Sequence, residues 1–249
     1  MRATLVLFFL WLGAGSKPAV DTANLIIIGW SDHVSLRPGD VFQFQIGRYV
    51  CCGPNQEAVT NVAVRWTIPS WIRNAHIDEH SGQLTIDASA ADGDRFPVIA
   101  SINNGEAILT RDVFVYLPER HPLAGGWDEI AEIDCKSGSE RPFVENNHIE
   151  SLVFDPNGSF QVTWFPFEVY KDYWGHYTYD AATQTLTMEV EGGNFLPKGI
   201  RLSGRAAIDE LGLDDVYCLR RRELRLEHIW LGQKVKAEAG CGMVFGAYQ

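Results

Sequence analysis

The residues best equipped for chemistry fall into a few short clusters. In HIDEH, His76 and His80 stand four apart with Glu79 between them. On one helical face that spacing converges two imidazoles on zinc and leaves the carboxylate to activate water. Ser81, Gly82 and the run QLTID follow directly, so the cluster reads as a solvated hairpin between strands. Asp87, Asp92 and Asp94 in IDASAADGDR offer the oxygen ligands that calcium takes. Calcium draws about six to eight oxygens, usually from several segments, and a calcium-loop spacing with its terminal glutamate is absent. Asp-Gly-Asp reads first as a turn, and calcium is the one cofactor left open. Glu168, Asp172 and His176 could form an acid/base set, but beside tyrosines at a strand end they read as rim residues. Arg220 to Glu223, RRRE, reads as a solvated turn before it reads as an anion site. Asn157-Gly158-Ser159 is a glycosylation sequon that hairpin chemistry already explains. No nucleophile elbow, phosphate-binding glycine loop or dinucleotide fingerprint occurs, and no enzyme is expected.

The other concentration of functional side chains is the aromatic stretch FEVYKDYWGHYTYD. Strand alternation puts Tyr173, Tyr177 and Tyr179 on one face, with Gly175 between, and Trp174, His176 and Thr178 on the other. In the next run Leu186, Met188 and Val190 share a face that must be buried, so one of the two aromatic faces lines an interior. Tyr173, Tyr177 and Tyr179, with Trp127 and Trp164, are the candidates for walling a pocket around a small apolar ligand. The same rings equally suit a filled core, since eight-stranded barrels can be just full or just hollow.

The elements that must position these residues are strands. In NVAVRWTIP, Val62, Val64, Trp66 and Ile68 share a face; in VFQFQI, Phe42, Phe44 and Ile46 do so. Leu84 with Ile86, and Val113 with Val115 and Leu117, continue the pattern. Turn-rich segments separate these runs, which describes two packed antiparallel sheets over residues 22–117. Pro118 and Pro122 mark a short, stiff linker over 118–124. Beyond it, over 125–249, about eight short runs joined by turns describe an antiparallel barrel. The expected fold class is therefore all-β, a sandwich followed by a barrel. In a closed meander the first and last strands are antiparallel neighbours, which predicts a Cys135–Cys241 disulfide. Cys51 and Cys52 are adjacent, and their state is left open.

The chain of 249 residues carries a formal charge of −11, a balance that repels phosphate backbones and argues against nucleic-acid binding. Arg2, the apolar run Leu5 to Leu12 and Ala14-Gly15-Ser16 read as a secretory signal peptide over residues 1–16. That run is too short to span a bilayer, so a secreted or periplasmic protein that does not span the membrane is expected.

Two resemblances refine this reading. VRWTIPSWIRNAHIDEHSGQLTID, with Trp66, Ala75, Ile77, Asp78, Gly82, Leu84 and Thr85 in the places such modules use, resembles bacterial immunoglobulin-like or cadherin-like domains. AGGWDEI, with Gly125 and Trp127, then FDPNGSFQVTW, YWGHYTYD and TLTMEVEGG, is similar to lipocalin-like barrels. Lipocalins also place a basic residue near the barrel's closed end, and the sequence assigns no counterpart to it. The resemblances imply an immunoglobulin-like sandwich followed by a lipocalin-like barrel. They imply an exported, non-enzymatic binding protein whose barrel takes a small apolar ligand, with the sandwich as spacer or docking module for a protein partner. The alternative is a structural or adhesive envelope protein with a solid barrel, and with calcium in the cadherin-like module.

Overall fold

A computed structural model describes residues 22–29, 33–50, 56–134, 136–143, 148–165, 172–194, 198–213, 220–231 and 242–248; for residues 211–213, 220, 221 and 248 it describes the backbone alone. The expected signal peptide, Glu168 and all five cysteines, Cys51, Cys52, Cys135, Cys218 and Cys241, lie outside the described residues. Strands in the first half are β1 Leu25–Ile27, β2 His33–Leu36, β3 Val41–Gln43, β4 Ile46–Tyr49, β5 Gln56–Ala58, β6 Val64–Thr67, β7 Ala75–Ile77, β8 Gln83–Ile86, β9 Arg95–Ile102 and β10 Ala107–Val115. Those in the second half are β11 Gly125–Ile133, β12 Glu140–Arg141, β13 Ile149–Phe154, β14 Ser159–Trp164, β15 Tyr173–Asp180, β16 Thr185–Gly193, β17 Arg201–Leu213, β18 Arg220–Glu227 and β19 Gly242–Tyr248. The fold is all-β. Among the described residues the single helical element is a 3-10 turn at Thr22–Asn24, and no helix is long and apolar enough to cross a membrane.

The first module buries one core between short sheets ordered β2-β10-β9-β6, β3-β8-β7 and β1-β4-β5. Alternation builds it: Phe96, Val98, Ala100 and Ile102 of β9 are buried, as are Val113 and Val115 of β10, while the residues between face outward. Two expectations are corrected. The run VFQFQI is two strands, because β3 pairs with β8 whereas β4 pairs with β1 and β5. Phe44 sits at the corner, buried against Trp66, and lets the chain change sheets without losing its apolar anchor. The sheets are also not wholly antiparallel, since β2 runs parallel to β10 with Val34 opposite Val113. The intervening strands serve as the long crossover that a parallel pair needs.

The second module is a closed barrel. Strands β11, β13, β14, β15, β16, β17, β18 and β19 follow one another as antiparallel neighbours, and β19 pairs back onto β11 from Gly126–Tyr248 to Ile133–Gly242. Closure leaves the eight staves no free edge. The hairpins form where the sequence placed them: the Asp155 amide meets the Ser159 carbonyl, with Gly158 at φ 90°, and Gln184 turns the next at φ 54°. RRRE begins β18 rather than forming a turn. Leu224 and Leu226 face the core there and continue the alternation back through the arginines, so apolar period overrides the charge run.

Candidate functional site

The tyrosine face of β15 is the interior one. Tyr173 is fully buried with its hydroxyl donating to the Leu231 carbonyl (2.7 Å). Tyr177 donates to the Asp155 carbonyl (3.0 Å) and Tyr179 to that of Ala206 (3.1 Å). Burial pushes the Tyr173 and Tyr177 hydroxyls well above the usual phenol range, so both remain donors at any physiological pH. Trp127 donates its indole N–H to the Leu123 carbonyl (2.8 Å), and Trp164 is buried beside it in the same core. All five expected pocket residues thus pack among Phe154, Phe160, Leu186, Met188 and Phe245, and four of their five polar tips are committed to main-chain carbonyls.

Glu129 Oε1 and Trp164 Nε1 are buried in that core with no hydrogen-bond partner among the described residues. The other Glu129 oxygen accepts the Ile149 amide (2.7 Å). Burial, with Glu132 nearby, lifts the Glu129 carboxyl to about 7, against which the Ile149 amide pulls down.

The remaining expected clusters do not assemble. His76 lies on β7, and Glu79 pairs with Arg65 (3.2 Å) and His80 (3.4 Å) in the turn that follows. Asp92 accepts the Leu117 amide (2.8 Å) and His121 (2.9 Å), whereas Asp94 accepts Asn74 and the Ala91 amide. Among the described residues no three His, Cys, Asp or Glu side chains converge for a metal. Asp172 is buried and accepts the Trp164 amide, while His176 stands on the outer face, so the two do not meet.

What does assemble is a groove of about 380 Å³ on the outside of the barrel, walled on its far side by His33 and Arg95 of the first module. Its floor is a cross-strand row in which Val153 of β13 lies opposite Gln161 of β14, Gln161 opposite Trp174 of β15, and Trp174 opposite Gly192 of β16. Trp174 keeps 42% of its surface exposed. It lies down because its partner has no side chain: a Cβ on Gly192 would come within 2.7 Å of the indole. The indole therefore lies over the Gly192 backbone, and Trp174 stays partly exposed.

A bulge completes the row. Trp174 pairs with Gly192 but Gly175 pairs with Val190, so Glu191 is the extra residue. It turns toward His176, with Oε1 3.2 Å from Nε2. The Gln161 side chain makes no hydrogen bond within the described residues and stands next to the indole, its amide free for a ligand.

The groove exists because the two modules touch. Asp155, on the β13–β14 hairpin, takes His33 Nε2 on one oxygen (2.6 Å) and the Ser35 hydroxyl on the other (3.0 Å). Burial raises its carboxyl, but the His33 hydrogen bond and charge, with donors from Asn157 and Ser35, outweigh that and hold it below the usual aspartate range. Asn157, the sequon residue, lies 3.3 Å from His33 and folds its own oxygen back onto the Ser159 amide (2.8 Å).

No protein-family model matches the chain, and no curated protein matches it. A structural-genomics crystal structure of unknown function from Bacteroides ovatus is similar at a TM-score of 0.29 and 11% identity, over 90% of this chain and 92% of that one.

Alternation in the sequence already separated Trp174 and His176 from the tyrosines. The bulge at Glu191, the wall from His33 and Arg95 and the role of Gly192 had no local signal. Arg222 was missed for the same reason: its guanidinium lies 5.2 Å from the centre of the Trp127 ring and donates to the Pro122 carbonyl.

Proposed function

We propose that the protein is an exported, non-enzymatic binding protein whose ligand sits in the groove between its modules rather than inside the barrel. The observation that carries this reading is Trp174, a large, partly exposed ring lying over a glycine, in a groove edged by uncommitted and paired polar groups. Its volume falls within the roughly 300–1,000 Å³ typical of small-molecule sites. An exposed indole costs free energy in water, so a face held open beside hydrogen-bonding side chains suits a partner with one apolar face and a polar rim. The barrel serves as a rigid scaffold, since sites on strands hold their geometry better than sites on loops. Arg222 stacked on Trp127 supplies the basic residue that the lipocalin resemblance leaves unassigned in the sequence, and supports reading this module as lipocalin-like. The parallel seating of β2 beside the last strand of its module supports the immunoglobulin-like reading of the first.

Saturation-transfer NMR with a library of small polar ring compounds tests the site. Compounds that bind the wild-type chain and are lost in Trp174→Ala support it. Binding that survives Trp174→Ala, or no binding at all, removes it. A second reading, carriage of an apolar molecule inside the barrel, has the two unpartnered atoms Glu129 Oε1 and Trp164 Nε1 in its favour. Native mass spectrometry of protein purified from its source would show such a molecule travelling with the chain.

A further inference from the structure

We infer that the ligand of this groove is a neutral saccharide, with one pyranose ring stacked on the outer face of Trp174 and its hydroxyls taken by Gln161 and the His176–Glu191 pair. The inference rests on the groove being the binding site, as proposed above, and adds the class of molecule.

Charge excludes the anionic alternatives. Each basic side chain facing the groove already has a carboxylate partner: His33 is 2.6 Å from Asp155, His176 is 3.2 Å from Glu191, and Arg95 pairs with Asp112. With a carboxylate beside each basic group and a net charge of −11 over the chain, the groove offers nothing to attract a phosphate, sulfate or uronate. The lining also excludes a flat apolar molecule, which would need cover on both faces. Trp174 supplies one, and His33, Arg95 and Asn157 elsewhere in the lining are all polar.

A pyranose ring has the complementary shape. Its axial C–H bonds make a weakly positive apolar face that fits the negative face of an indole, and its equatorial hydroxyls radiate in the ring plane. Neighbouring hydroxyls pair with groups that donate and accept side by side. Gln161 carries both on one amide, and the bulge at Glu191 sets a carboxylate acceptor beside an imidazole on the strand edge of the same ring. Aiming a side chain in this way is a recurrent use of bulges near sites. Because the groove is open along the barrel wall, an internal unit of a longer chain fits as readily as a terminal one.

Isothermal titration of the full chain with a panel of neutral hexose and pentose oligosaccharides tests the inference, with uronate and sulfated oligosaccharides and nucleosides alongside. Binding by at least one neutral oligosaccharide is expected, weakened about tenfold or more by Trp174→Ala. Trp174→Phe should retain part of it. Gly192→Val should abolish it with the far-UV and thermal signatures of the barrel retained, since the new side chain lifts the indole. If only nucleosides or charged oligosaccharides bind, in a way that needs Trp174, the saccharide inference falls and the groove stands. If nothing binds in a way that needs Trp174, both fall.

Discussion

Glu129 shows what one misplaced charge does inside a barrel. Its carboxyl titrates at about 7 in the folded chain against an ordinary 4.5, so the folded state holds the proton more tightly than the unfolded state. Stability from this group is complete below pH 4.5, declines as pH rises toward 7, and is flat above. Glu129→Gln keeps an acceptor for the Ile149 amide and removes the charge. Chemical denaturation should find the variant more stable than wild type by about 2–3 kcal/mol at pH 8 and little changed at pH 4. Equal pH profiles would show that the carboxyl is not strained. Gly175 is the second informative residue, because a Cβ there would come within 1.9 Å of the Glu189 carbonyl oxygen on the neighbouring strand. Backbone cannot swing aside as a side chain tip can. Gly175→Ala should therefore cost about 3 kcal/mol in a urea melt, against near-neutral expectations for an alanine on an exposed strand face.

At the scale of elements, barrel closure and the seal at its end are separate devices. Arg222, on β18, covers the Trp127 ring of β11 and ties the barrel to the Pro122 carbonyl of the linker. Arg222→Met retains much of the packing and loses both the cation–ring attraction and the hydrogen bond. It should lower unfolding free energy by about 1–2 kcal/mol, and an unchanged melt would mean that the contact is incidental. The staves themselves meet where the meander predicts, with Ile133 at the end of β11 opposite Gly242 at the start of β19. The disulfide proposed from that topology joins Cys135 to Cys241. Peptide mapping without reduction should recover it, while a Cys218–Cys241 peptide would displace it. That pairing needed only the order of strands, which is why it could be proposed from sequence.

For the whole molecule, the proposed function depends on two modules holding one groove. Asp155 is the contact that matters most, since its side chain takes donors from His33 and Ser35 across the boundary while its carbonyl holds Tyr177. Its carboxyl titrates below the usual aspartate value, so the stability that this carboxyl contributes is in place above about pH 4 and is lost as pH falls through the lowered folded value. Asp155→Ala should cost about 1–3 kcal/mol and split thermal unfolding into two steps, with a larger radius of gyration in solution scattering. One unchanged transition would mean that the linker alone holds the modules.

Period-two alternation is a local property, and it sufficed for the all-β class, the sandwich-then-barrel order, the hairpins at Asp155–Ser159 and Asp180–Thr185, and the two faces of β15. It could not say which face was inside until neighbouring strands were added, nor that Phe44 would turn a corner between sheets. The groove was out of reach for a related reason. Its parts come from β2, β9, β13, β14, β15 and β16, and they meet through a one-residue bulge and a docking contact made by residues more than a hundred positions apart. Which side chains alternate is written along the chain; which of them become neighbours is settled only when the sheets close and the modules dock, because register and docking are set by packing energy between distant segments.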